Sequence, residues 1–466
     1  MGDALTRRDF VAAALASGAA LSTLGPGNAS AQAASGAAAG VDGVPGHERP
    51  NVLFILADDL GYGDLSCYGR PDYKTPVLDR LATQGLKFTS NYAAAPVCTP
   101  TRCGFITGRY PQRLAVGLEE PLTRRSPQVG LPAGHATIGT QLQAAGYATA
   151  LIGKWHLGWQ PEFNPVRHGF DEFFGALSGA VDYFTHAAAD RSEIEGGPPA
   201  PDLWENETRV ERSGYLTDLL TDRAIEYLSR KHDKPFFLSL QYTAPHSPWE
   251  GPGDAALDHN DHGGGPMAAG GSPAAYAAIM QSLDSNVGRV LAALKRAGLE
   301  RNTLVIFTSD NGGERYSYNW PFSGEKFGLQ EGGTRVPAIA RWPGVTPVNA
   351  VTDQAAITMD WTATILAVAG AEQAAAYPLD GETLLPTLRG ERAVHERPLF
   401  WRTRTSGAAR IGQWKYLRDA MGEHLFDLAV DPGEKAELKA KHADVLARLK
   451  GRYDEWAAGM LPVPAR

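Results

Sequence analysis

The run Asn51-Val-Leu-Phe-Ile-Leu-Ala57 is apolar on both sides of an extended chain, without the alternation of a half-exposed strand. Such a strand has no face to give to water, so it requires packed layers above and below it, as in a parallel sheet covered by helices. Strand-length apolar runs recur at 148–152, 235–242 and 303–308, separated by segments of helical pattern at 75–84, 137–145, 214–231 and 274–297. That alternation predicts an α/β fold, a large mostly parallel sheet sandwiched by helices and running to about residue 370. From residue 396 the texture changes to short alternating runs at 399–405, 409–418 and 424–428, closed by a helical segment at 443–458. Residues 51–395 are therefore read as the main domain, and 396–466 as a smaller C-terminal antiparallel sheet with a helix.

The start of the chain reads as an address rather than a fold. Thr6-Arg7-Arg8-Asp9-Phe10-Val11 is a twin-arginine pattern, followed by an apolar run and then Ala29-Ser30-Ala31, a peptidase site. Residues 1–31 are read as a twin-arginine signal peptide and the Ala/Gly-rich residues 32–50 as a flexible linker. The apolar run is too short and too rich in Gly and Ser for a permanent span. The expectation is a periplasmic or secreted protein, exported by the Tat machinery and without a stable membrane anchor. A net charge of −8 supplies no basic excess to neutralise phosphates, which excludes a nucleic-acid partner. Three cysteines, Cys67, Cys98 and Cys103, do not make a disulfide framework. Cys67 and Cys103 are favoured as free thiols over a bridge. The Gly/Pro-rich segment 249–273 is expected to be a mobile loop able to act as a lid. Its Asp258, His259, Asp261 and His262 are read as solvated loop residues rather than a metal site.

Chemistry concentrates where the strands end. Asp58 and Asp59 directly follow the first strand, and Asp310-Asn311 follow the strand at 303–308. In open α/β sheets ligands collect beyond the carboxyl ends of strands. Adjacent carboxylates in a desolvated pocket repel unless a cation neutralises them. Oxygen donors without thiolate or imidazole suit Ca²⁺, with Mg²⁺ second, over zinc. Gly153-Lys154-Trp155-His156 closes another strand and places Lys154 and His156 two apart, facing one side of an extended segment. Ala244-Pro245-His246 follows the strand at 235–242, and Gly324-Glu325-Lys326 precedes Glu331-Gly-Gly-Thr-Arg-Val-Pro337. The aromatic side chains near these motifs, Trp155, Trp159, Tyr183 and Trp320, are read as packing residues able to stack on a ring.

The stretch Pro96-Val97-Cys98-Thr99-Pro100-Thr101-Arg102-Cys103-Gly104-Phe105-Ile106-Thr107-Gly108 resembles the signature of the sulfatase family, and Gly146 to His156 resembles its second signature. With the other anchors in order, the resemblance covers Asn51 to about Pro343. It implies an alkaline-phosphatase-like sheet and a hydrolase of sulfate monoesters, either aryl sulfates or sulfated sugars. It also implies that Cys98 is oxidised to formylglycine by a maturation enzyme before folding. Carried over residue by residue, Asp58, Asp59, Asp310 and Asn311, with the modified Cys98, hold one Ca²⁺, and Arg102, Lys154, His156, His246 and Lys326 line the sulfate pocket. In that family one hydroxyl of the formylglycine hydrate attacks sulfur, His246 with Lys326 protonates the leaving alcohol, and His156 acts as base when sulfate is expelled. Cys103 departs from the family pattern, which more often has a small residue such as alanine there. A phosphate or phosphonate ester hydrolase of the same superfold is the alternative; a non-catalytic anion-binding module is disfavoured because every expected position is filled.

Overall fold

The computed structural model describes residues 49–123, 126–188, 201–254 and 271–464. The strand Asn51–Ala57 is buried along its whole length, and its side chains divide between two cores. Leu53 and Ile55 join Leu238, Leu240, Val305 and Phe307, and meet Leu78, Leu216, Leu220, Ile279 and Leu283 from the helices Pro76–Thr83, Leu216–Ser229 and Pro273–Arg296. Val52, Phe54 and Leu56 join Phe237, Leu304 and Ile306, and meet Phe105, Ile106 and Ile365 from the helices Cys98–Thr107 and Thr358–Ala369. At roughly 1.5–3 kcal/mol for each fully buried large apolar side chain, both faces stabilise the sheet.

The sheet has ten strands. Their order is Ala350–Thr352, Leu86–Phe88, Ala338–Arg341, Thr303–Ser309, Asn51–Ala57, Phe236–Gln241, Ala148–Gly153, Glu172–Gly175, Trp204–Glu205 and Thr208–Arg209. From Thr303–Ser309 to Glu172–Gly175 every pairing is parallel. Antiparallel pairing enters beside this block, at Ala338–Arg341 and at the hairpin of the last two strands. The register pairs Ala57 with Ser309 and Gly153 with Gln241, so the central strands end at one edge. Asp58, Lys154, His246 and Asp310 all leave the sheet from that edge.

The C-terminal layer is a four-stranded antiparallel sheet, Pro398–Arg402, Gly407–Ile411, Trp414–Asp419 and Gly422–Asp427, with the helix Ala443–Ala458. The run expected as one strand at 409–418 is two, reversing at Gly412, whose φ of 60° suits glycine. The run conceals its turn because no Asn-Gly or Asp-Gly pair marks it. Tyr92 and Met359 of the main domain belong to this layer's core.

All three cysteines are free. Cys67 is partly buried against one core and Cys103 is buried in the other, so the sheet separates them. In the segment expected as a mobile loop, Trp249 and Glu250 are buried. Residues 255–270, with Asp258, His259, Asp261 and His262, lie outside the described residues. So do the residues read as signal peptide and linker, apart from Arg49 and Pro50. Among the described residues no helix is long and apolar enough to cross a membrane.

A buried charge cluster joins the two layers. Lys415 Nζ lies 2.8 Å from both Glu331 Oε1 and Glu434 Oε1, and Arg335 lies 3.1 Å from Glu331 Oε2. Burial works to raise the Glu331 pKa, but the charges of Lys415 and Arg335 outweigh it and hold the carboxyl at about 2. A depressed acid contributes stability that is fully present above its unfolded value, about 4.3, and is lost as pH falls toward 2. Lys415→Met is expected to lower unfolding stability at pH 7 by about 3 kcal/mol, because it strands buried carboxylates. It also flattens the loss of stability between pH 4.3 and 2; urea unfolding at pH 7 and pH 3 checks both, and an unchanged midpoint contradicts the cluster's role.

Candidate active site

Every sequence-predicted site residue is buried, from Asp58, Lys154, Asp310 and Asn311 to Cys98, Arg102, His156, Asp59, His246 and Lys326. Ion pairs and hydrogen bonds link Asp58, Asp59, Asp310, Asn311, Arg102, Lys154, Lys326 and His246. Lys154 Nζ donates to Asp58 Oδ2 at 2.6 Å, and Lys326 Nζ donates to Asp59 Oδ2 at 2.6 Å. Arg102 Nε donates to Asp310 Oδ2 at 3.1 Å, while its Nη2 lies 3.7 Å from Asp58 Oδ1. The backbone N–H of Asp59 donates to Asp310 Oδ1 at 3.1 Å, and Asn311 Nδ2 donates to Asp59 Oδ1 at 2.7 Å. The two strand-end pairs therefore meet as the register requires.

Charge shifts follow from this crowding. Burial works to raise Asp59, but Lys326, His246 and Lys154 hold its carboxyl well below the usual range. Asp310 is pushed up to about 7 by burial and by the charge of Asp58. Burial works to lower Lys326, yet Asp59 and its other anionic neighbours keep it strongly protonated. Burial raises the Cys98 thiol, although the positive charges of Lys154 and Lys326 oppose it. An unmodified Cys98 is thus a poor thiolate nucleophile.

The two histidines are held as neutral rings. His246 is lowered to about 3 by burial and by Lys326, and its Nδ1 lies 2.6 Å from the Ser247 carbonyl. A carbonyl only accepts, so Nδ1 carries the hydrogen and the Nε2 lone pair faces Lys326 Nζ at 3.3 Å. Tyr183 OH fixes this segment by donating to the His246 carbonyl at 3.0 Å. Burial, then the charge of Lys154, lowers His156 well below its ordinary value. Its Nε2 lies 2.9 Å from the Leu122 carbonyl, so Nε2 carries the hydrogen and the buried Nδ1 is left without a hydrogen bond. His156 does not continue the extended strand as expected, because its φ is 59° and the strand ends at Gly153. Asp59, at φ 60°, is the other site residue with left-handed backbone, and such strain collects at functional positions.

The donor set fits a hard cation. Asp58 Oδ1 and Asn311 Oδ1 are buried and accept no hydrogen bond. An unsatisfied buried acceptor costs about 1–3 kcal/mol, and an oxygen of this kind is a ligand that a hard cation takes. Asp58, Asp59 and His246 each offer a ligand atom, all within 4.8 Å of one another. His246 enters this group through its position 3.4 Å from Asp59 Oδ2, which the sequence motifs did not indicate.

The sulfatase family model matches residues 50–371. The chain belongs to the sulfatase family. It is 36% identical to mouse steryl-sulfatase, covering 90% of this chain and 84% of that protein. It is 31% identical to human N-acetylgalactosamine-6-sulfatase, covering 91% and 88%. Among solved structures, Ps i-CgsB in complex with k-i-k-neocarrahexaose matches with a TM-score of 0.78 and 31% identity, covering 88% of this chain and 93% of the other. Sulfatase membership makes the protein a sulfate ester hydrolase, and its fold is that of alkaline-phosphatase-like sulfatases.

Three further residues, not singled out from the sequence although Thr99 lies within the first signature, touch the predicted site residues. Gln241 Oε1 accepts from Arg102 Nη1 at 2.7 Å, and Thr99 Oγ1 lies 3.2 Å from His156 Nε2. Glu314 Oε1 lies 3.4 Å from Lys326 Nζ. Gln241 had a signal: it is a polar residue ending an apolar strand, like Asp58 and Asp310. Of the flagged aromatics, Trp155 and Tyr183 are buried in the cores and Trp159 packs against one of them, while Trp320 is exposed.

Gly179 sets the place of His156. A Cβ there would stand 2.3 Å from the imidazole Cε1. Gly179→Ala is expected to displace the ring from Leu122 and Thr99 and to lower kcat by about 100-fold, with the thermal midpoint nearly retained. Unchanged kcat would remove His156 from the machinery.

Proposed function

We propose that this sulfatase cleaves a sulfate monoester of an aryl alcohol or a sugar with Cys98 converted to formylglycine and one Ca²⁺ held by Asp58, Asp59, Asp310, Asn311 and the modified Cys98. The observation that carries the reading is the convergence of Arg102, Lys154 and Lys326 with buried carboxylates around Cys98, at the edge where the central strands end. A sulfate ester is an anion that resists nucleophilic attack, and fixed positive groups in a dry pocket stabilise charge that develops on its oxygens. Bound Ca²⁺ would add a hard charge for those oxygens. A formylglycine at position 98 would, when hydrated, supply an oxygen nucleophile toward sulfur and a second hydroxyl that allows sulfate to be released.

The remaining work belongs to this chain's own side chains. Arg102, one turn along the helix from Cys98, is fixed by Asp310 and Gln241 and orients the nucleophile. Lys326 stores the proton that the leaving oxygen needs, and His246 Nε2 stands beside it as the relay. The bare Nδ1 lone pair of His156 makes that ring the candidate base for sulfate release. The same proposal extends to maturation and place: a formylglycine-generating enzyme acts on Cys98 before folding, and the twin-arginine leader directs the folded protein to the periplasm or medium. The curated relatives' names, steryl-sulfatase and N-acetylgalactosamine-6-sulfatase, support a ring-bearing alcohol.

Turnover of a matched aryl sulfate and aryl phosphate tests the reading. Wild type is expected to prefer sulfate, and Cys98→Ala to lose at least about 10³-fold of that rate with its circular dichroism intact. Peptide mass spectrometry across Cys98 should show the aldehyde-bearing residue. Preference for phosphate, or active enzyme with an alkylatable thiol at Cys98, would overturn it.

A further inference from the structure

Phe327 stands next to Lys326 and is the most conspicuous side chain near the site that the proposed chemistry does not use. The N–H of Gly328 donates to the Glu325 carbonyl at 3.0 Å, so Lys326 and Phe327 are the central residues of a tight turn. Phe327 has a φ of 73° in its third position, where glycine or asparagine is favoured and a bulky side chain is an outlier. The turn is held in place regardless: Lys326 N–H donates to Gly313 O at 3.2 Å, and Phe327 N–H to Pro96 O at 2.8 Å, two residues before Cys98. The strained residue is therefore tied to the segment that carries the nucleophile.

The ring gains little from packing. Phe327 is 55% exposed, whereas Lys326 beside it is 6% exposed. Yet the ring centroid is 5.3 Å from Lys326 Nζ, the ammonium that bonds Asp59 and faces His246. An exposed apolar ring thus sits directly beside the ammonium that, in the proposed chemistry, stores the leaving-group proton. Backbone strain that no buried contact rewards points to a function for the side chain. Of the four rings flagged from the sequence, Trp155 and Tyr183 are buried, Trp159 packs against one of the cores and Trp320 is exposed; the ring placed over Lys326 is that of Phe327.

We infer that Phe327 is a specificity-determining platform that stacks on the leaving alcohol of the sulfate ester, selecting alcohols with a flat apolar face, either an aromatic ring or the C–H face of a pyranose. This rests on the site reading above. Stacking holds the ester oxygen toward Lys326 while the sulfate occupies the cationic pocket. The effect belongs to alcohol binding, so inorganic sulfate, which has no ring, does not feel it.

Phe327→Gly tests this, because it removes the ring and relieves the positive φ together. Steady-state kinetics with p-nitrophenyl sulfate and with galactose 6-sulfate should show KM raised roughly 5- to 10-fold for whichever ring the site selects. The inhibition constant of inorganic sulfate should move less than about twofold, the thermal midpoint should not fall, and Phe327→Tyr should restore KM. The same esters are titrated calorimetrically into Cys98→Ala with and without Phe327→Gly, where the same weakening is expected. Equal affinity of both ring-bearing esters for the two chains, or parallel shifts in ester and sulfate affinity, overturns the platform. Wild-type protein that binds these esters without hydrolysing them counts against the catalytic reading instead, and the binding comparison still decides the platform.

Discussion

The structure is organised around three carboxylates taken out of water at the edge of its central sheet. Asp58, Asp59 and Asp310 are each at most 3% exposed and belong to two strand ends that the parallel register brings side by side. Isolated, such charges would each cost several kcal/mol, and the pocket would open or protonate. Lys154, Lys326 and Arg102 arrive from three other parts of the chain to offset them. The helix Cys98–Thr107, the turn at Lys326 and the strand end at Gly153 are thereby locked to the same place. The cores on both faces hold the strands, and the strands hold the charges.

Compensation is incomplete in an informative way. Asp58 Oδ1 and Asn311 Oδ1 have no hydrogen bond, and Asp310 is pushed toward neutrality by burial and then by Asp58. The three cations match the three carboxylates in number, yet these two acceptor oxygens are left without a donor. That same surplus of unsatisfied oxygen beside Arg102, Lys154 and Lys326 suits a site where a hard cation and an anionic ester meet.

Cys98, Arg102 and Lys326, on a helix and in a turn, were legible only through the family resemblance. Asp58, Asp59, Lys154, Asp310 and Asn311 were legible because they follow strand ends, where an apolar run makes the break to polar residues visible. The central parallel strands and their helices were legible for the same reason, their burial on both faces. What escaped was set by tertiary approach. Gln241, Thr99 and Glu314 become site residues only through the partners they reach, and His156 turns left-handed after Gly153 rather than staying extended. The split of 409–418 into two strands hides in a turn without a strong pair of turn residues. Lys415 and Glu434 have no meaning along the chain until the C-terminal sheet closes on Glu331.

The central claim is that the buried carboxylate network is completed by one hard cation. Calorimetric titration of Ca²⁺ into chelator-stripped protein tests it most directly, with the thermal midpoint followed in parallel. The account predicts saturable binding of a single ion, a raised midpoint, and marked weakening of both in Asn311→Ala. Stripped protein that takes up no Ca²⁺ and melts at the same temperature with or without it would contradict the account.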